Sequence, residues 1–407
     1  VDHDSAPILG LIRDGRFSPA FAREFAAFLA DPRVVIVGGN DNEGPVGVGV
    51  LAHLHQKDVV GKWDWLHRLP EEGGEEEAVQ WRRDERDGYW SVYLKEGVTL
   101  RFRLAADPGP AIGRAEVPEL LDVNLTDWCD RGCRYCYRGS TPEGKHADFS
   151  WTSSLLRAAH SLGVREVAFG GGEPLSFTSG DNKYPVGIKH LPGHALGIDY
   201  RVTTRRLDWL DADEGKAADF RRSILTSVGA FGVSVDTLAE AKRAVEAFSR
   251  RDILDRLTLH LVIGAVPVET LYAVIEYATL RHVRVLLLDW KNTGRGAGGP
   301  LHPADDSTLI DLVRAKHRVA IDTPLARRLE PRLLEASAWR GSFTTQEGGF
   351  SAFVDAVTRT LHPCSYDRSP GIPIPTAKHG SVEPEALRAV YLEMQAAVQA
   401  AVEGAMV

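Results

Sequence analysis

Between Glu116 and Asp289, short apolar runs alternate with amphipathic stretches. This alternation constrains the fold more than any other feature of the chain. The strand-like runs are Glu119–Leu125, Glu166–Phe169, Ile198–Thr203, Gly232–Asp236, Thr258–Ile263 and Val283–Leu288. Helical periodicity falls between them, as in Ser153–Leu162, Leu238–Arg250 and Glu269–Leu280. Strands that alternate with helices imply a parallel sheet, because each helix must carry the chain back before the next strand. Enzymes built this way keep their chemistry at the C-terminal ends of the strands.

Directly after the first run comes Cys129-Asp130-Arg131-Gly132-Cys133-Arg134-Tyr135-Cys136, which holds three of the four cysteines in 407 residues. Cubane iron–sulfur clusters are held by cysteine thiolates, normally four, so three on one loop would leave one iron open. An odd cluster of cysteines in a large chain argues against a disulfide framework. Zinc stays open on spacing alone, since Cys364 or a histidine could complete a four-ligand site.

The second run, Val164-Arg165-Glu166-Val167-Ala168-Phe169, leads into Gly170-Gly171-Gly172-Glu173-Pro174. Glycines at a strand end allow close backbone approach to a ligand, with their amides free to bond it. Alone, the run also suits an ordinary strand–helix turn. Together the two segments resemble the radical S-adenosylmethionine (SAM) superfamily, with its C-x3-C-x-aromatic-C signature and its GGEP motif, here Gly171 to Pro174. The resemblance implies an α/β fold, a (β/α)6 partial barrel. It implies one [4Fe–4S] cluster on Cys129, Cys133 and Cys136, and SAM chelated at the open iron. Gly171, Gly172, Glu173 and Pro174 would hold the SAM ammonium, and Tyr135 would lie beside the adenine. The reduced cluster would cleave SAM to a 5′-deoxyadenosyl radical, which takes a hydrogen atom from substrate.

Weaker likenesses follow. Ser234, in Phe231-Gly232-Val233-Ser234-Val235-Asp236, matches the end of the family's fourth strand, whose serine contacts SAM; a capping serine and aspartate read equally well. Val202-Thr203-Thr204-Arg205 stands where relatives read Thr-Asn-Gly, which offers Thr204 as a SAM contact and Arg205 as a departure. Gly294-Arg295-Gly296 is a turn common in relatives with peptide substrates, so Arg295, with Lys291, is a candidate for binding at the barrel mouth. Phe353-Val354-Asp355 and Pro363-Cys364-Ser365-Tyr366 resemble the start of a SPASM/twitch-like extension, cut short. One remaining cysteine cannot hold an auxiliary cluster. Cys364 is either a buried small hydrophobe or a thiol that returns a hydrogen atom to a substrate radical.

Flanking the barrel segment, 116–300, residues 1–115 read as an α+β domain for substrate or leader-peptide binding. It has a helix over Ala20–Leu29, a strand at Val34–Val37, and a hairpin of Tyr89–Leu94 and Val98–Leu104. An acidic loop, Glu71–Glu77, and a linker, Asp107–Pro110, complete it. Residues 301–407 form a C-terminal extension with strands at Arg318–Asp322, Phe350–Val357 and Thr360–Leu361, and a helix over Glu385–Ala401. The net charge of −8 argues against broad nucleic-acid binding. No apolar run approaches the ~20 residues of a membrane span, and no signal peptide is evident. These point to a cytoplasmic protein, and the resemblance implies an enzyme with a peptide or small-molecule substrate and an electron donor such as flavodoxin or ferredoxin. Two alternatives stand beside a peptide-modifying enzyme: one acting on a sugar, nucleotide or amino acid, and a non-enzymatic zinc protein.

Overall fold

In the computed structural model, the described residues are the strands at 34–41, 80–83, 90–94 and 98–104, and then 114–405. Short segments at 179–186, 193–195, 212, 316–318, 334–346, 368 and 370 are left aside. The expected helix at Ala20–Leu29, the acidic loop and the linker lie outside the described residues. The chain divides into two units: residues 1–115 with 326–345, and 116–325 with 346–407.

The first unit contains β1 (Val34–Asp41), β2 (Gln80–Arg83), β3 (Trp90–Leu94) and β4 (Val98–Leu104). They form an antiparallel sheet ordered β1-β4-β3-β2, in which β3 and β4 make the expected hairpin and Leu94 pairs with Val98.

The second unit is built on one sheet. Its strands are β5 (Leu120–Thr126), β6 (Glu166–Gly171), β7 (Asp199–Thr204), β8 (Ala230–Ser234), β9 (Leu257–Val262), β10 (Arg284–Leu288), β11 (Val319–Ile321), β12 (Ser351–Asp355), β13 (Thr360–His362) and β14 (Ile372–Pro373). The spatial order is β11-β10-β9-β8-β7-β6-β5-β12-β13-β14. Every pair from β11 to β12 is parallel; only the β12–β13 and β13–β14 pairs are antiparallel. The fold is thus an α/β partial barrel. The six expected strands lie in sequence order, and two more parallel strands extend them: β11 beyond β10, and β12 beyond β5. The sequence reading placed both added strands in a C-terminal extension, 301–407, closing the barrel. Periodicity marks a strand but not its partner, and β12 reaches β5 across more than 200 residues.

The helices α1 (Phe149–Ser161), α2 (Gly215–Ser227), α3 (Leu238–Ser249), α4 (Val268–Leu280), α5 (Asp306–Ala315) and α7 (Pro384–Ala405) complete the alternation in this unit, while most of α6 (Thr323–Leu333) falls in the first unit. Asp148 caps α1 by accepting from the Trp151 amide at 2.7 Å. Phe231 on β8 packs edge-on against Phe248 of α3, with centroids 5.5 Å apart, and against Trp209 at 5.2 Å. Helix α7 fixes the approach to β12: Tyr391 donates to the Gly349 carbonyl at 2.8 Å and Gln395 to the same carbonyl at 3.1 Å.

The loop after β5 is tied to β12 by a buried charge network. The Arg138 guanidinium bonds Asp355 at 2.6 Å and Asp127 at 3.1 Å. Asn124 bridges the same two carboxylates, donating at 2.9 Å to Asp127 and 3.2 Å to Asp355. Burial alone would raise the Asp355 carboxyl, but Arg138 and the hydrogen bonds to it hold it below the usual range. Removing one partner of a buried ion pair leaves the other uncompensated, so Arg138→Met should destabilise this unit by about 3 kcal/mol. A carboxyl depressed in the folded state stabilises above its unfolded value near ~4 and loses that contribution as pH falls through the folded value. The deficit, read as a shift in denaturant midpoint, should therefore be full at neutral pH and shrink below about pH 4.

Candidate active site

The cysteine loop and the glycine motif meet because β5 and β6 are neighbours that end at the same edge of a parallel sheet. Their ends are stitched by backbone: the Gly172 amide donates to the Thr126 carbonyl at 2.6 Å, and the Glu173 amide to Trp128 at 2.8 Å. Only glycine permits this approach. Gly171 has φ +105°, and a Cβ there would lie 1.7 Å from Asn124 Oδ1; at Gly172 it would lie 2.1 Å from the Trp128 carbonyl oxygen. The sequence reading gave these amides to a ligand. Those of Gly172 and Glu173 instead hold the segment that leads into Cys129.

The loop is also closed from behind. The Cys129 amide donates to Thr141 at 3.0 Å, and Cys136 to the Cys133 carbonyl at 3.2 Å. Arg295 grips it from the loop after β10: its amide donates to the Cys136 carbonyl at 2.9 Å. Its guanidinium donates to the carbonyls of Cys133 and Ser140, each at 2.8 Å. Arg295 therefore shapes the cysteine loop. Lys291 is likewise engaged within the protein, 3.2 Å from Asp322, with its ammonium over the rings of Tyr137 and Tyr366 at 5.1 and 5.3 Å. Despite burial, Asp322 holds it firmly charged. His146 sits against Thr126 Oγ1 at 2.8 Å, inside the loop's frame and not on a free turn.

All three loop thiols are free and half-buried. Burial pushes the Cys129 thiol up, opposed by the Arg131 amide and reinforced by Glu173, Cys133 and Cys136, which places all four groups in one neighbourhood. Among the described residues no three His, Cys, Asp or Glu side chains converge on a single metal-ion position. Three thiols on one loop suit a cluster held at separate corners. The donor set fits: thiolates for iron, and a carboxylate for a cation.

That carboxylate is Glu173, only 2% exposed. Oε1 accepts from Thr204 Oγ1 at 2.7 Å and from the Leu175 amide at 3.3 Å; Oε2 accepts from the Arg205 amide at 3.2 Å. Burial raises its pKa against those hydrogen bonds. A carboxylate has about four acceptor positions, so three donors leave room for one more. Pro174 opens the short turn that Glu173 caps. Thr204 acts through Glu173, while Ser234 ends β8 half-exposed, two residues before Asp236.

Tyr135 donates to Asp236 at 2.5 Å and lies 6.5 Å from the Trp290 ring. Arg205 joins it, bonding the Tyr135 hydroxyl, Asp236 at 2.7 Å and Cys133 Sγ at 3.4 Å. The sequence marked Arg205 only as a departure from a pattern, and Asp236 only as a cap. Asp122 on β5 and His260 on β9 were missed as well. Burial pushes Asp122 up to about 6, with Lys291 opposing, and pushes His260 down to about 4, with Lys291 assisting. The break in alternation they make on apolar strands was the available signal. Cys364 follows β13, half-buried, two residues from Tyr366; Lys291 bridges that ring to Tyr137 of the cysteine loop. Burial, then Glu347, pushes the Cys364 thiol up to about 11.

The chain is 39% identical over 62 residues to GTP 3′,8-cyclase of Hydrogenovibrio crunogenus, covering 14% of this chain and 19% of that protein. It is 36% identical over 61 residues to a probable GTP 3′,8-cyclase of Methanosarcina mazei, covering 14% and 18%. It thus spans about a fifth of the length of the curated relatives it matches. Among solved structures, Streptococcus suis SuiB bound to precursor peptide SuiA aligns over 64% of this chain and 63% of that chain, at 15% identity and a TM-score of 0.49. The anSMEcpe structure with AdoMet and a Cp18Cys peptide aligns over 66% and 80%, at 11% identity and a TM-score of 0.40. Residues 123–284 match the Radical SAM superfamily model, a span that takes in the cysteine loop, the glycine motif and strands β6 to β9. With that match the non-enzymatic zinc reading is set aside: residues 123–284 carry a radical SAM domain, the domain of enzymes that use a [4Fe–4S] cluster and S-adenosylmethionine.

Proposed function

We propose that this radical SAM enzyme modifies a residue of a ribosomally made peptide. The observation that carries this reading is the N-terminal antiparallel sheet. Among the described residues its outer strands, β1 and β2, each leave one edge without a strand partner. Such an edge takes up an extended peptide through main-chain hydrogen bonds, and the radical SAM domain supplies its cofactor residues without this unit. A small-molecule substrate is the second reading. It is favoured by Asp122 and His260, half-buried polar groups on β5 and β9, the latter with a buried Nδ1 that has no hydrogen-bond partner among the described residues. Gly232 on β8 leaves the space the His260 ring occupies, since a Cβ there would lie 2.1 Å from its Cε1.

When bound, the cluster and SAM supply one-electron cleavage of the sulfonium and hence a radical able to take hydrogen from an unactivated C–H bond. The electron comes from a small carrier such as a flavodoxin or ferredoxin. Cys129, Cys133 and Cys136 would hold iron as thiolates. Glu173, fixed by Thr204 and by the amides of Leu175 and Arg205, would accept from the SAM ammonium. Tyr135 would border the adenine. Cys364 would donate a hydrogen atom: its S–H bond breaks as the substrate C–H bond forms, and the thiyl left behind is reduced by one further electron from the same carrier and a proton from solvent. A pKa near 11 keeps that S–H bond intact at neutral pH. Among the described residues no helix is long and apolar enough to cross a membrane.

The test is anaerobic reconstitution with SAM and dithionite, assaying 5′-deoxyadenosine with precursor peptides in one arm and nucleotides, sugars and amino acids in the other. Stimulation by peptides alone supports the first reading; stimulation by small molecules alone replaces it with the second. Changing all three loop cysteines to alanine should abolish visible absorbance and SAM cleavage together, and iron near eight per chain in the parent would show a second cluster. A charge-assisted hydrogen bond contributes about 1.5–3 kcal/mol. Glu173→Gln should therefore weaken SAM binding about tenfold or more at unchanged iron content. Cys364→Ala should leave absorbance and 5′-deoxyadenosine in place while product per 5′-deoxyadenosine falls. A parent-like ratio removes Cys364 from the mechanism.

A further inference from the structure

Arg205 touches both halves of the cofactor site at once. Its amide donates to Glu173 at 3.2 Å, which fixes the backbone where β7 ends. Its side chain then turns to the cysteine loop. Nη1 lies 3.4 Å from Cys133 Sγ, within hydrogen-bonding range for sulfur, and also bonds the Tyr135 hydroxyl. Nη2 bonds Asp236 at 2.7 Å and reaches Glu240 at 3.4 Å. Glu240 is itself fixed by the Asp236 amide at 2.6 Å. The guanidinium is little exposed, at 16%, and is clamped from two elements, the end of β8 and the first turn of α3. A planar fork held in this way keeps its donor directions.

We propose that Arg205 is a positioning residue for the iron–sulfur cluster, its guanidinium donating to the Cys133 thiolate and so setting the reduction potential of the cluster that this thiolate holds. The inference rests on the cluster assignment above and adds a determinant to it. Reduction adds one electron and no proton, so the reduced form carries more negative charge. A donor aimed at a ligating sulfur stabilises that form and raises the potential, as do local positive charge and burial. Two carboxylates already offset the guanidinium charge. The sign of the effect in each variant therefore follows from what is removed. Arg205→Met removes donor and cation and leaves Asp236 and Glu240 uncompensated, which should lower the potential. Asp236→Asn removes one of those negative charges while Glu240 still holds the guanidinium, which should raise it. Arg205→Lys keeps the charge but loses the fork, and should fall between parent and Arg205→Met.

The experiment is a redox titration of the reconstituted full-length protein without SAM or substrate, followed by electron paramagnetic resonance of the reduced cluster. Each sample is first brought to four iron per chain. Expected is a negative shift in Arg205→Met, a smaller negative shift in Arg205→Lys and a positive shift in Asp236→Asn. A role confined to folding would not produce opposite signs. Parent-like potentials in all the variants overturn the proposal, as does a shift of the same sign in Arg205→Lys and Asp236→Asn. SAM affinity is measured separately on the same samples, and weakened SAM binding at a parent-like potential also overturns the proposal and makes Arg205 a contact for SAM. Should Arg205→Met fail to assemble a cluster, Arg205→Lys and Asp236→Asn decide. Failure of the parent itself to take up iron would instead count against the cluster assignment, so the two failures are distinguishable.

Discussion

Two backbone hydrogen bonds hold the site together: Gly172 to Thr126 and Glu173 to Trp128. They exist because β5 and β6 are parallel neighbours, so their C-terminal ends fall at one edge. They are short because neither Gly171 nor Gly172 carries a Cβ. Through them the segment entering the cysteine loop and the segment entering Glu173 become one rigid piece. A side chain at either glycine would force backbone apart, and the thiols and the carboxylate would lose their common frame.

Around that seam the protein uses its cations internally. Arg138 is held by Asp127 and Asp355, Lys291 by Asp322, and Arg205 by Asp236 and Glu240. Arg295 is bonded to carbonyls of the loop itself. The chain's excess of acid over base thus has a local consequence, since the cationic side chains at the barrel mouth become braces. The loop is gripped from β12, from the segment after β10 and from the end of β7, so its conformation is set by elements far apart in sequence. Such convergence fixes the positions of the three loop thiols relative to one another.

The C-terminal residues belong to this same unit. Strand β12 extends the sheet beyond β5 and brings Asp355 against Arg138 and Asn124. Helix α7 locks the turn before β12 through Tyr391 and Gln395. Strand β13 then leads to Cys364. The region read from sequence as an appended extension thus contributes a strand and a charge to the frame of the cysteine loop.

The cysteine spacing, the glycine run and the strand–helix alternation were legible in the sequence because each is a local pattern: ligand spacing on one loop, conformational freedom at one turn, periodicity along one element. From them came the six barrel strands, the candidate cluster ligands and Glu173. The strand order at the sheet's edges, the partners of Arg138, Lys291 and Arg295, and the depth of Asp122 and His260 came only from tertiary structure. An arginine reads the same whether it faces solvent, a substrate or a carbonyl, and a strand's sequence does not name its neighbour. The same limit hid Arg205. By sequence it was a departure from a motif, and only the meeting of β7, β8 and the cysteine loop sets its guanidinium beside Cys133. What the chain could ligate was written in residue types and spacing; how those ligands are held was decided by long-range contacts that no local pattern encodes.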